Sequence, residues 1–598
     1  MERSIRQWIW PLLSAGLIIY LCAFKVGNTD FWWHIKAGQI IRSGEWIFTD
    51  PFAYTRLGEP YLAMQSWLAQ VTLSLGFDIL GTSGITILRT LIVLIAFGFP
   101  ALLCKKNIWI GSVLAVLAAV AARPALTDRP QLFTFLFFSI FTVLCMRYFD
   151  ATAGKRKRIL ILLPLIILLW SNFHGAAAFV GICVYGSLGL HRLIALYKEK
   201  NLKSWECYWL ITFGIVMAVA TLVAPKGIGN ISYLLDLTKD RSAEFILEWQ
   251  AGTLVHYLKV TGFFWAIAIA STLYNRKQLL FTILLLCGIG YLAKTAVRHE
   301  VLFVITAISV TLYQLRTMQL IANRFSLALP VAVFVLIGCV TYVRSYDVNR
   351  NDHLFGYGTF APARGASDFI KQEGITGNMF NNYNIGGEML FHDHKVFLDG
   401  RNLDYGYEYI NRAVNSGVDT SIWNELEREY QFTHAAIYYD LQAELNPIPY
   451  VDLLDADPDW LLVYVDDWAA VYVHKGIEGI DEVEEITSIT PKMLHHLTIP
   501  GELTTNELNR LQNDLNRIIK QRPDGIKPRL YLARLYTMLG AYHEAEVLLN
   551  DAKKLQPKNF RVYLGFMELF REQGDLAAAD RMLDKAKRTA GFTGVQIK

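Results

Sequence analysis

Asp30 and His34 stand four residues apart in "TDFWWHIKAGQII", directly after an apolar run. If that stretch is helical, the spacing puts both side chains on one face. Asp50 follows in "TDPFAYT", with Trp32, Trp33 and Trp46 in between. A carboxylate close to an imidazole can take a proton from a hydroxyl, orient a neighbouring group or hold an ion. The same residue types also serve architecture. Thr29 or Asp30 suits the N-cap of the helix, and Asp50-Pro51 suits a turn or an N-cap with proline at the first helical position. Trp32, Trp33, Ile35, Ile40 and Ile41 are predicted to rest on a membrane surface, where tryptophan is favoured. A second surface helix is predicted from about Gln65.

The elements around these residues follow from composition. The chain has 598 residues, 53% hydrophobic and 18% charged, against about 25% charged for an ordinary soluble protein. The apolar excess lies in the first 345 residues, in runs of the length that spans a bilayer core about 30 Å thick. Eleven spans are predicted, roughly 8–26, 85–104, 108–123, 130–148, 159–173, 175–192, 208–224, 261–275, 278–293, 300–315 and 326–343, with 67–80 along the membrane surface. The N-terminal run reads as a retained helix. Basic clusters at Lys105-Lys106, 155–158, 191–203, Arg276-Lys277 and Arg316 with Arg324 fall on one side together with Arg3 and Arg6. Enrichment of Lys and Arg marks that side as cytoplasmic. An odd span number then puts the C-terminal part outside. The net charge of +4 is accounted for by this topology and implies no nucleic-acid partner. The seven cysteines stop at Cys339, and no spacing among them suggests a metal site.

The opposite face carries a different set: Asp30, His34, Asp50, Arg123, Arg129, His174, Glu248, Arg298, His299 and Glu300, most of them close to a span end. Charges next to hydrocarbon are costly, so they mark functional positions unless they only finish a helix or pair with one another.

Three parts are predicted: a transmembrane domain over 1–344, an outer α/β domain over 345–490 and a helical segment over 500–598. "ARGASDFIKQEG" reads as a helix ended by Gly374. "KVFLDGR" and "THAAIYYD" read as buried strands, and "WLLVYVDDWAAVYVHK" as a hairpin around Asp466-Asp467. Beyond 500 a 34-residue period pairs Gly540 with Gly574, Ala545 with Ala579 and Ala552 with Ala586. This resembles tetratricopeptide repeats, which dock partner proteins or copies of themselves. A stabilising cap on the preceding domain is the simpler alternative.

Four motifs in order, "TDFWWHIKAGQII…DPFAYT", "RPQLFTFLF" at 129–137, "WSNFHG" at 170–175 and "VFLDGR" at 396–401, resemble those of bacterial multi-spanning proteins in the GT-C glycosyltransferase superfamily, over roughly residues 8–475. That superfamily includes oligosaccharyltransferases and protein O-mannosyltransferases. The resemblance implies a polytopic α-helical protein of the inner membrane, N-terminus cytoplasmic and C-terminal domains periplasmic. It would transfer a sugar from a polyprenyl-phosphate carrier to an acceptor glycan, lipid or protein. Asp50, or else Asp30, would be the base. Arg298, His299, Arg129 and Arg123 would meet the donor phosphate, for which the Arg fork is suited. His34, Trp33, Tyr54, His174 and Glu248 would line the substrate site. The two aspartates stand apart here, without the adjacent acidic pair or D-x-D of several relatives. Asp30, His34, Asp50, His174 and Glu248 are candidates to hold Mg²⁺ or Mn²⁺, although their spacing does not require it. An O-antigen ligase or polymerase and a non-catalytic scaffold are the competing readings. The late loops are short for the former.

Overall fold

The computed structural model describes residues 2–27, 29–318, 333, 335–341, 358–476, 483–501 and 503–590. The span expected at 326–343 falls mostly outside them, as does part of 476–500. The chain forms two compact units. One holds 1–48, 61–344 and 356–359; the other holds 49–60, 345–355 and 360–598.

The first unit is helical. Its elements are α1 (Glu2–Cys22), α2 (Thr29–Arg42), α3 (Trp67–Leu80), α4 (Thr82–Gly98), α5 (Ile108–Ala122), α6 (Gln131–Phe149), α7 (Ala153–Phe173), α8 (Ala178–Lys198), α9 (Trp205–Ala220), α10 (Gly229–Lys239), α11 (Leu254–Asn275), α12 (Leu279–Thr295) and α13 (Glu300–Leu315). Among the described residues, four helical stretches are long and apolar enough to cross a membrane: Thr82–Ala125, Gln131–Phe149, Ala178–Lys198 and Leu254–Asn275. Three shorter apolar helices accompany them: Trp8–Cys22, Trp205–Ala220 and Leu279–Thr295. The first stretch merges two of the expected spans across a kink at Cys104, whose φ of −124° and ψ of 59° leave the helical region. α7 carries the "KRKR" cluster within its first turns, ahead of its apolar run, which is shorter for it. α13 is buried along nearly its whole length because α5, α6, α11 and α12 pack around it. A helix apolar on every side belongs in such a position.

α2 corrects one expectation. It is a helix as predicted, but its aromatic face meets protein. Phe31, Trp32, Trp33 and Ile35 are buried, and the Phe77 ring of α3 lies 5.7 Å from Phe31 and 6.0 Å from Trp32, both edge-on. Gly38 permits this approach. A Cβ there would stand 2.1 Å from the Gln70 carbonyl oxygen, so only glycine lets the two backbones come this close. Periodicity reveals an apolar face and not the body that covers it.

The second unit contains a four-stranded sheet of β1 (Asn378–Asn381), β2 (Phe432–Tyr438), β3 (Trp460–Val465) and β4 (Ala469–His474), in the order β1-β2-β4-β3. β1 and β2 are parallel, and the other pairs are antiparallel. The predicted hairpin is β3–β4, with Asp466 at the turn accepting from the Trp468 and Ala469 amides at 2.8 Å. "KVFLDGR" is buried as predicted but is not a strand. Its backbone bonds go to a side chain and to the 49–60 segment. Asn381 accepts from the Phe397 amide at 2.8 Å and donates to the Leu398 carbonyl at 2.7 Å. Val396 and Ala53 form a single parallel bridge. Buried backbone groups need partners, and ladder bonds are only one source of them.

Five helices follow, Thr505–Gln521, Lys527–Met538, Tyr542–Leu555, Phe560–Glu572 and Leu576–Ala590, each packed on the next. Gly540 and Gly574 turn two of the pairs at φ of 73° and 82°, a backbone state glycine adopts without strain. The small residues Ala545 and Ala552 sit with Leu530, Val562 and Phe566 in one core. These helices are bonded to the sheet. Asp467 accepts from the Ile526 and Lys527 amides at the start of Lys527–Met538, at 2.7 and 3.1 Å. Lys527 returns its Nζ to the Asp467 carbonyl oxygen at 2.7 Å.

Asp467→Ala removes the acceptor for two helix N-terminal donors. It is expected to lower the stability of the second unit by about 1–2 kcal/mol, the range for lost N-terminal caps. Urea-dependent protease susceptibility of 503–590 in the full-length protein measures this, and no change would show that water replaces the carboxylate without cost.

Candidate functional site

In the first unit, five short segments converge: the first turn of α2, the loop before α6, the turn after α7, Leu247–Trp249 and Val297–His299. The last two are three-residue 3₁₀ turns. Arg129 links them. Its NH1 donates to Asp30 Oδ2 at 2.8 Å, its NH2 to Glu248 Oε2 at 2.6 Å and its Nε to Thr127 Oγ1 at 3.1 Å. One guanidinium therefore bridges two carboxylates, with side chains 15% exposed at Arg129 and Asp30 and 31% at Glu248. Trp33 Nε1 lies 3.3 Å from Asp30 Oδ1, and its ring packs on His34 at 3.6 Å between centroids.

Burial and charge set the protonation states. Burial raises the Asp30 carboxyl above the usual aspartate range, and Arg129 only partly offsets this. Burial also raises Glu248, but Arg129 and then Arg298 outweigh it and hold that carboxyl below its ordinary value. Arg129 is raised: burial opposes its charge, and Glu248 and Asp30 together overcome that cost. His34 is pushed well below the usual imidazole value by burial, then by Arg129 and His174. His174 falls to about 3 and His299 to about 4, both chiefly by burial and next by Arg298. All three imidazoles are neutral near pH 7. Among the described residues, the buried His34 Nδ1 has no hydrogen-bond partner. His174 Nδ1 meets Thr134 Oγ1 at 2.7 Å, and Trp170 Nε1 donates to that same hydroxyl at 3.1 Å.

Arg298 differs from Arg129. Its guanidinium stacks over Trp249 at 4.9 Å from the ring centroid, and Gln131 Nε2 donates to its carbonyl oxygen at 3.2 Å. Among the described residues it makes no ion pair, and burial pulls its charged state below the ordinary arginine value. It is a half-buried cation held by an aromatic face and a backbone bond. His299 turns its Nδ1 toward the Leu292 carbonyl oxygen at 3.3 Å.

Arg123 belongs to another cluster. It and Arg89 share the Phe24 ring, at 3.7 and 3.5 Å from the centroid, and Arg89 pairs with Asp128 at 2.8 Å. Burial pushes Asp128 up to about 6 despite both arginines. Sequence reading missed Arg89, Trp249, Gln131 and Thr134. Arg89 had a signal, as an arginine inside an apolar run, and Gln131 and Thr134 lie within "RPQLFTFLF".

Asp50 and Tyr54 belong to the second unit. Asp50 Oδ1 accepts from the Phe52 and Ala53 amides at 2.8 and 3.2 Å, and its Oδ2 receives Arg401 NH1 at 2.6 Å. Arg401 also grips Asp399 through Nε at 2.8 Å and NH2 at 2.6 Å. Arg56 Nε stands 3.6 Å from Asp50. The Arg401 and Asp50 side chains are 0% exposed. Burial, only partly countered by Arg401, pushes the adjacent Asp404 up to about 7. Tyr54 donates to the Met379 carbonyl oxygen at 3.1 Å. The "DPF" and "DGR" motifs are thus two halves of one buried ion network.

For a divalent metal, the Asp30 and Glu248 carboxylates already share Arg129, His174 is bonded to Thr134, and Asp50 is bonded to Arg401. These residues do not fit Mg²⁺ or Mn²⁺ as they stand. Glu444, His495 and His496 form another group of ligand type. There both His495 nitrogens face cations, Lys527 at 3.0 Å and Arg561 at 3.3 Å, which disfavours a metal.

No family model matches the chain, and no curated protein matches it. Among solved structures, it is similar to ArnT from Cupriavidus metallidurans bound to undecaprenyl phosphate. The identity is 14% over 79% of this chain and 98% of that one, with a TM-score of 0.43. The apo state of the same protein gives 14% identity over 78% and 98%, with a TM-score of 0.44. The archaeal oligosaccharyltransferase AglB from Archaeoglobus fulgidus, in complex with an inhibitory peptide and a dolichol-phosphate, gives 10% identity over 90% and 86%, with a TM-score of 0.48.

Asp50→Ala strands Arg401 as a buried cation with one carboxylate fewer. The second unit is expected to lose about 3–5 kcal/mol, as when one partner of a buried pair is removed. Denaturant unfolding followed by tryptophan fluorescence measures it. Unchanged stability together with abolished activity would instead make Asp50 a chemical group.

Proposed function

We propose that the protein is a membrane glycosyltransferase of the GT-C type, moving a sugar from a polyprenyl-phosphate carrier to an acceptor hydroxyl at the outer face of the inner membrane. The observation that carries this reading is the pairing of roles in the first unit. Arg298 is a half-buried guanidinium without an ion pair among the described residues. It stands in the electrostatic reach of the Asp30–Arg129–Glu248 cluster. Asp30, His34, Arg129 and His174 all lie in the motifs that carry the GT-C resemblance.

The acceptor oxygen attacks the anomeric carbon, the carbon–oxygen bond to phosphate breaks, and polyprenyl phosphate departs with one more negative charge. Arg298 faces that growing charge, and a guanidinium can hold two phosphate oxygens at once. Asp30 takes the acceptor proton. Its raised pKa makes it a stronger base than an ordinary aspartate. Arg129 keeps that carboxylate in place. The neutral His34 and His174 and the ring of Trp33 offer hydrogen bonds and a stacking face to sugars. The helices over 503–590 present a surface for a protein partner or a second copy. Asp50, engaged by Arg401, is given the architectural role and Asp30 the catalytic one.

Asp30→Asn is expected to lower turnover by about 10²–10⁴-fold, the contribution of a positioned base. Purified protein incubated with a panel of polyprenyl-phosphate sugars supplies the assay, and near wild-type turnover would remove Asp30 from the chemistry. Arg298→Lys keeps charge but loses the fork, so it should raise the KM for donor more than it lowers stability.

The pH profile gives a separate check. A base works deprotonated, so kcat/KM falls as pH drops through the folded-state pKa. Since Asp30 is raised, that acidic limb is expected above the ordinary aspartate value of about 3.9. A limb at or below that value would contradict the assignment.

A further inference from the structure

We propose that the Arg129 guanidinium is a built-in cation that holds the Asp30 and Glu248 carboxylates where a divalent metal ion would otherwise bridge them. The inference deepens the proposed function, on which it rests only for its catalytic consequence.

Two carboxylates brought together near apolar helices need a positive partner, because unpaired charges there cost several kcal/mol. A divalent ion is the usual alternative and would take oxygen ligands from both. Here NH1 is bonded to one carboxylate at 2.8 Å and NH2 to the other at 2.6 Å. An ion reaching both oxygens would have to displace the guanidinium between them. Thr127 holds Nε at 3.1 Å, so the fork is fixed from its own side as well. Arg129 is the counter-charge that Asp30 and Glu248 share, and His34, His174 and His299 are held neutral, so no metal is needed to bring the two carboxylates together.

The remaining donors do not make a substitute site. His174 Nδ1 is bonded to Thr134. Among the described residues His34 retains a buried unpartnered Nδ1, but one imidazole without a released carboxylate is a weak start for Mg²⁺ or Mn²⁺, which favour oxygen. Removing the guanidinium changes this. Arg129→Ala leaves two carboxylates without their shared cation, an oxygen pair of the kind Mn²⁺ accepts. Arginine thus does the neutralising work of a metal while staying attached to the loop before α6, and its two parallel donors also set the direction of each carboxylate.

The test uses full-length protein in nanodiscs titrated with Mn²⁺ alone, read by electron paramagnetic resonance of free Mn²⁺. Wild type and Asp30→Asn are expected to bind the same number of ions, because no Asp30-dependent site exists while Arg129 is present. Arg129→Ala is expected to gain one ion per chain, lost again in Arg129→Ala/Asp30→Asn. One more ion bound by wild type than by Asp30→Asn overturns the proposal, as does a folded Arg129→Ala protein that gains none. If Arg129→Ala does not fold, the wild-type comparison decides by itself. Transfer assayed in chelator should equal transfer in Mn²⁺. Lack of transfer from every donor tried would count against the proposed function and leave the ion-binding result standing.

Discussion

A single guanidinium shared by two carboxylates organises the first unit. Arg129 reaches Asp30 across 99 residues of sequence and Glu248 across 119. It thereby ties α2, the loop before α6 and the 3₁₀ turn at Leu247–Trp249 to one point. Burial, reinforced by its charge and that of Arg298, keeps the neighbouring His34 and His174 neutral, so they are hydrogen-bonding groups and not further cations. With Glu248 committed to Arg129, Arg298 rests on the Trp249 ring and makes no ion pair among the described residues.

The second unit uses the same device for a different end. Arg401 grips Asp50 across 351 residues and Asp399 two residues away, with both Arg401 and Asp50 fully covered. Full burial makes that network a clasp: removing one partner strands the others, and nothing from solvent can reach it. The Arg129 cluster remains partly exposed. Two networks built from the same residue types therefore separate by access. The first keeps part of its surface accessible, and the second is closed around the loop it holds against its domain.

Much of the fold was legible from local pattern. The helix over Asp30 and His34, the hairpin around Asp466 and the helix ended by Gly374 all follow from spacing and turn residues, which local sequence encodes. "KVFLDGR" was legible as buried and illegible as irregular, because Asn381 supplies bonds that a strand neighbour would have supplied. The aromatic face of α2 was visible, but its cover, Phe77 and the backbone near Gln70, lies on another helix. For the site, the residue types were visible and the pairings were not. Asp30, Arg129, Glu248 and Arg298 all stood among the outer-face charges. Nothing in their spacing said that Arg129 would take both carboxylates, or that Asp50 would turn to Arg401. Those choices are made by contacts more than ninety residues apart, where periodicity carries no information.

The role proposed for the cluster around Arg298 is to receive the phosphate of a lipid carrier. Photo-crosslinking tests it most directly, with a polyprenyl phosphate carrying a diazirine next to the phosphate and the labelled peptides identified by mass spectrometry. The account predicts label on the segments holding Trp249 and Arg298, competed away by unlabelled polyprenyl phosphate and reduced in Arg298→Ala. Label that ignores the competitor, or that falls on the first unit only at segments remote from these residues, would contradict it.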